Sequence, residues 1–78
     1  MTTLATIEEI KALIGLQLGK SNIRETDRLV EDLGAESSDV ANIVAVAEEK
    51  YGIIIKEGEI ARILTAMDLY ELVNKPSL

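Results

Sequence analysis

The chain has no cysteine, no histidine, no phenylalanine and no tryptophan, and it has one proline. Each absence closes off a class of structure or chemistry. Without cysteine no disulfide can staple a small fold, and such usage fits a reducing compartment, so a cytoplasmic location is expected. Without cysteine and histidine a structural zinc is not expected. The Ser/His and Cys/His nucleophile arrangements are impossible. Carboxylates scattered along helix surfaces make a poor acid–base pair without a cleft to shift their pKa, so the chain is not expected to be an enzyme. Tyr51 and Tyr70 are its only aromatics, which leaves the core to aliphatic side chains. No apolar run approaches the roughly 20 residues of a membrane span. No N-terminal stretch joins a basic region to an apolar run, so a signal peptide is not expected either.

What is there is a chain of 78 residues with 14 acidic and 8 basic side chains, a formal net charge of −6. That length suits one small domain over residues 1–78, expected to be monomeric. The charge disfavours nucleic acid, whose phosphates would be repelled. Basic patches on partner proteins are the natural counterpart, although an acidic balance also serves solubility alone. Acidity suggests calcium as well, but an EF-hand needs alternating oxygen ligands, a central glycine and a terminal glutamate. Neither Thr26–Asp39 nor Glu48–Glu59 has that spacing, so no metal site is expected.

The apolar pattern is helical throughout. A first helix is expected from about Leu4 to Leu18, with Ile7, Ile10, Ile14 and Leu18 at three- and four-residue spacing. Thr6 and Glu9 form a capping-box pattern that can set its start, and Gly19 can end it. Leu16 falls on the opposite face. Lys20 to Glu36 is a long connection, which needs anchoring in a compact domain; Leu29, Val30 and Leu33 are its candidate anchors. Asp32 and Gly34 suggest a turn before the next helix. A second helix is expected over Ser37 to Tyr51, with Val40, Ile43, Val44, Ala47 and Tyr51 on its inner face and Ser38, Asn42, Ala45 and Glu49 opposite. Gly52 ends it. Ile53, Ile54 and Ile55 read as an apolar loop tucked under the bundle. A short helical turn follows around Glu57 to Ile63, weakened by Gly58. A last helix starts near Thr65, capped by Thr65 and Asp68, with Ala66, Leu69, Tyr70 and Val73 inward and Pro76 as its stop. The expectation is an all-α fold: a small antiparallel bundle of three main helices plus one short helix, with a long first loop.

Within that order, the run Val30-Glu31-Asp32-Leu33-Gly34-Ala35-Glu36-Ser37-Ser38-Asp39 places a serine where an amphipathic helix begins. A helix N-terminus has unpaired N–H groups and the positive end of the dipole, so it suits an attached phosphate. The segment Leu29-Val30-Glu31-Asp32-Leu33-Gly34-Ala35, the pair Glu48-Glu49 followed by Lys50-Tyr51-Gly52-Ile53, and the N-terminal Thr6-Ile7-Glu8-Glu9 and Gln17-Leu18-Gly19 together resemble the acyl carrier proteins. The resemblance runs from about Thr6 to Val73.

It implies a covalent 4′-phosphopantetheine arm on Ser37, bearing acyl intermediates as thioesters for fatty-acid, polyketide or related biosynthetic enzymes. The thiol belongs to the cofactor, so the protein need only expose the serine. The resemblance also implies a phosphopantetheinyl transferase as partner, and acyl-transferring and acyl-modifying enzymes that dock through basic patches. The docking positions carried over are Glu36, Ser38, Asp39, Asn42, Ala45, Glu48 and Glu49. Three of these depart from the family pattern. Glu36 stands for aspartate, Ser38 for the leucine that follows the serine, and Asn42 for an acidic residue. These departures point toward a specialised member. Ser38 also offers a second hydroxyl, but Gly34-Ala35-acid-Ser sets the register on Ser37. Acyl carriers shelter their cargo among apolar side chains; here Ala41, Ala45 and Ala47 are small, and Ile54, Ile55, Ile63 and Leu64 are lining or core candidates. The alternative is a carrier-like interaction module that is never modified and docks partners through its acidic second helix.

Overall fold

A computed structural model describes residues 5–75. Its elements are α1 (Ile7–Leu18), α2 (Ser37–Tyr51), α3 (Glu57–Ile60) and α4 (Ala66–Asn74), the expected helical bundle. Among the described residues there is no strand, and one isolated antiparallel bridge joins Arg28 to Thr65. α1 packs against both α2 and α4. The largest fully buried side chains are Ile10, Ile14, Leu29, Ile43 and Leu69. The core is aliphatic, as the missing aromatics require.

Local signals decide where the helices start and stop. The Thr6 hydroxyl accepts the Glu9 N–H at 3.1 Å, and the Glu9 carboxylate accepts the Thr6 N–H at 2.9 Å. This reciprocal cap starts α1 at Ile7, later than the Leu4 expected from periodicity; Leu4 itself lies outside the described residues. At the other end Gly19 adopts the left-handed conformation (φ 66°), and the N–H groups of Gly19 and Lys20 both donate to the Gly15 carbonyl. Leu16 is exposed, as its position on the helix implies. α2 has the expected span and ends at Gly52 in the same conformation (φ 65°). Its inner face buries Ile43, Val44 and Ala47, with Val40 and Tyr51 half-buried. The Tyr51 hydroxyl is buried without a hydrogen-bond partner among the described residues. Burial, with the Glu9 carboxylate adding to it, pushes its pKa up.

α3 is shorter than expected. After Ile60 the chain continues as turns, with Arg62 N–H on Glu59 O at 3.0 Å and Ile63 N–H on Ile60 O at 3.1 Å. So short a helix forms few intrahelical bonds for the order it imposes, and Gly58 raises that cost. α4 is capped by Thr65, whose hydroxyl accepts the Asp68 N–H at 3.2 Å. The Asp68 carboxylate accepts the N–H groups of Leu64 and Thr65 at 2.9 and 3.0 Å. Pro76, expected to stop this helix, lies outside the described residues.

The long connection is anchored by Ile23, Leu29 and Ala35, all buried. It is also stitched to the start of α4: Leu29 N–H donates to Leu64 O at 2.8 Å, and Met67 N–H to Glu25 O at 3.0 Å. Buried Asp27 organises its middle, accepting the Arg24 N–H at 2.9 Å. Three sequence expectations are corrected here. Val30, expected as an anchor, is 56% exposed, while Ile54 (86%) and Leu64 (60%), expected as lining or core, are exposed as well. Each neighbours a buried residue, Leu29, Ile55 or Ile63. Where the backbone is extended, successive side chains point to opposite sides, so burying Ile55 turns Ile54 outward, and the same holds for Ile63 and Leu64.

The first described residue, Ala5, is clasped to α4. Ala5 N–H donates to Asn74 Oδ1 at 2.9 Å, and Asn74 Nδ2 donates to Ala5 O at 2.9 Å. Replacing Asn74 by alanine leaves two partly buried backbone groups without their partner. Asn74→Ala is therefore expected to cost about 1–2 kcal/mol, read as a lower urea midpoint at unchanged slope.

Candidate functional site

The site is built by the approach to α2. Arg28 begins a tight turn in which Asp32 N–H and Leu33 N–H both donate to Arg28 O, at 2.9 and 3.0 Å. The Asp32 carboxylate accepts the Arg28 N–H at 2.8 Å, and chiefly this bond holds its pKa below the ordinary carboxylate range. Arg28 also pairs with Glu31 at 2.6 Å. Gly34 then takes a left-handed conformation (φ 73°), which a side chain would strain. Ala35 is buried, and its N–H donates to Leu29 O at 2.8 Å. From that anchor the chain emerges, and Glu36, Ser37 and Ser38 are all exposed.

Glu36 is the N-cap residue of α2, in an extended conformation. Its N–H donates to Asp39 Oδ2 at 2.9 Å. A serine at a helix start normally uses its hydroxyl to cap the first turn. Here Glu36 holds the cap position and Asp39 reaches back to it, so Ser37 sits one residue inside the helix with its hydroxyl exposed and outside the capping. Ser38 is equally exposed, about 100° further round the helix.

The other docking positions read from the sequence fall into two groups. Glu36, Ser38, Asn42, Ala45 and Glu49 are exposed. Asp39 and Glu48 are half-buried, and each carboxylate accepts a backbone N–H, from Glu36 and from Ile55 respectively. Sequence reasoning missed both bonds. The acid at Asp39, three residues after the cap, carries a capping-box spacing that signals its bond. The Glu48 bond crosses a loop and has no such signal. Among the described residues every ion pair lies on α1 or the long connection and none involves α2, so the carboxylate of Glu49 is left for solvent or a partner.

The small residues of α2 line neither of two cavities among the described residues. Ala41 and Ala45 are exposed, and Ala47 is fully buried against its neighbours. Ile55 and Ile63 belong to the core. Cavities of about 370 Å³, beside Lys11 and Asn22, and about 220 Å³, beside Arg62 and Leu72, are not lined by Ser37. Among the described residues no helix is long and apolar enough to cross a membrane, and no cluster of acidic side chains comes together to hold a metal ion. An exposed hydroxyl in the first turn of a long helix fits a covalently attached phosphodiester, since the unpaired N–H groups and the dipole there favour its charge.

Comparison with known proteins places the chain in a family. Residues 8–73 match a family described as the phosphopantetheine attachment site. The acyl carrier protein of Wolinella succinogenes is 35% identical over 73 residues, covering 91% of this chain and 96% of that protein. The acyl carrier protein of Helicobacter hepaticus is 36% identical over 71 residues, covering 88% of this chain and 93% of that protein. Two solved structures from Streptomyces coelicolor have the same fold. A 3-oxo-butyl acyl carrier protein, an intermediate mimic from the actinorhodin polyketide synthase, superimposes with a TM-score of 0.75 at 26% identity, over 95% of this chain and 92% of that one. The actinorhodin holo acyl carrier protein gives 0.73 at 27% identity, with the same coverage.

Proposed function

The chain belongs to the phosphopantetheine-attachment family as an acyl carrier protein, and from that premise we propose that its 4′-phosphopantetheine arm is attached to Ser37. The observation that carries this reading is the Ser37 hydroxyl, exposed in the first turn of α2 while Glu36 and Asp39 do the capping. The arm supplies a thiol that holds the acyl group as a thioester. The chain's own residues hold the attachment oxygen in reach of a transferase, favour the phosphodiester charge at the helix start, and carry partners' docking contacts on α2. A docked partner then meets the tethered acyl group at high effective concentration.

The proposed docking face comprises Glu36, Ser38, Asn42, Ala45 and Glu49. Its carboxylates suit basic patches on a phosphopantetheinyl transferase and on acyl-transferring and acyl-modifying enzymes. With no charge at Asn42 and no bulk at Ala45, this face is less acidic than a fully charged helix, which supports a specialised set of partners. One domain over residues 1–78, a monomeric state, a cytoplasmic location and the lack of any catalytic step by the chain itself belong to the same proposal.

Incubation with coenzyme A and a broad-specificity phosphopantetheinyl transferase tests it. The intact mass is expected to rise by one phosphopantetheinyl group, and peptide mapping to locate that group on Ser37. A mass that does not change would favour the unmodified docking module instead.

A further inference from the structure

Two adjacent carboxylates at the end of α2 sit in opposite environments. Glu49 is exposed, and among the described residues it has no basic partner. Glu48 is half-buried, and its Oε2 accepts the Ile55 N–H at 2.7 Å across the loop that leads to α3. The Glu48 backbone carbonyl accepts two further N–H groups, from Gly52 and from Ile53, the latter at 3.2 Å. One residue thus receives three of the N–H groups of the α2–α3 connection. Gly52 turns the chain in the left-handed conformation (φ 65°). The carboxylate then catches the chain three residues later, where Ile55 is buried and Ile54 is 86% exposed.

We propose that Glu48 is a positioning residue that latches the α2–α3 connection, leaving Glu49 as the carboxylate that partners read at this end of α2. A carboxylate that accepts a short backbone bond has one fewer lone pair to offer an incoming lysine or arginine, and turning it outward would release Ile55. Glu49 carries no such engagement. The docking half of this inference rests on the carrier reading; the latch half does not.

The test uses glutamine and alanine at both ends of the argument. Glutamine keeps an oxygen that accepts the Ile55 N–H and removes the charge; alanine removes both. In the unmodified chain, Glu48→Ala is expected to speed exchange of the Ile55 amide about tenfold, with Ile14 and Leu69 amides unchanged, while Glu48→Gln stays near the parent. In the transferase reaction, Glu49→Gln is expected to raise KM about two- to fivefold, the effect of one exposed charge, while Glu48→Gln leaves it unchanged. Equal Ile55 exchange in parent, Glu48→Gln and Glu48→Ala would overturn the latch. A KM for Glu48→Gln raised as far as that for Glu49→Gln would overturn the division between the two. Because exchange is read without the arm, it decides the latch even if the chain is never modified.

Discussion

Ser37→Ala is expected to gain no mass with coenzyme A and the transferase, while Ser38→Ala gains one phosphopantetheinyl group. In the proposed attachment Ser37 Oγ bonds to the pantetheine-side phosphorus of coenzyme A as the pyrophosphate P–O bond breaks, the nucleotide half leaves and the hydroxyl proton passes to the transferase or to water; alanine has no oxygen to bond. The loss should be complete rather than graded, because the neighbouring hydroxyl, on Ser38, lies off the register of the lead-in. It should also leave the fold intact. The Ser37 side chain is exposed and Asp39 supplies the contact back to the cap residue, and alanine is a better helix former than serine. Unchanged thermal unfolding of Ser37→Ala would establish that the loss is chemical. Ser38 carries the same functional group, but about 100° round the helix. The buried Ala35 and left-handed Gly34 fix the register from which both serines emerge. Mass gain in Ser37→Ala, lost in Ser38→Ala, would move the attachment by one residue.

Features set by neighbours in sequence were legible, and those set by chain segments far apart were not. The span of α2, the cap at Thr6 and the stops at Gly19 and Gly52 follow from periodicity and end signals within a few residues, and each appears in the structure. The end of α3 was misjudged because four residues of marginal helix are decided by what surrounds them. The clasp between Ala5 and Asn74 joins the two ends of the described chain, and no local pattern announces it. Asp27, buried in the connection, is not among the residues that the sequence pattern singles out. Val30, Ile54 and Leu64 read as core because they are large and apolar, yet each stands beside a buried residue that faces the other way. The candidate site divides similarly. Ser37 and its lead-in were visible as a motif, whereas the inward bond of Glu48 depends on where Ile55 comes to rest.

Gly15 shows how far a distant segment can overrule a local preference. At a mid-helix position an alanine should be worth about 1 kcal/mol more than glycine. By that reasoning alone, Gly15→Ala would stabilise α1. The structure reverses the sign. Gly15 is buried, and the chain leaving α1 folds back over it: its carbonyl accepts both the Gly19 and Lys20 N–H groups. A Cβ added there would lie 2.6 Å from Lys20 O and 3.3 Å from Ile23 Cδ1. The isoleucine tip can shift, but the carbonyl belongs to the turn that ends the helix. Relief must come from moving the backbone, which loosens that turn and the buried anchor at Ile23 together. Overpacking of this kind costs about 1–3 kcal/mol, against the roughly 1 kcal/mol that the helix gains. With a net loss of about 1 kcal/mol, the melting temperature should fall by about 5 °C for a domain of this size. The same substitution at exposed Gly58, where a Cβ meets nothing within 4 Å and the backbone is not left-handed, should leave the melt unchanged or raise it. A Gly15→Ala protein that melts at or above the parent would mean that the turn at Lys20 can give way without cost, and that α1 obeys its local propensity after all.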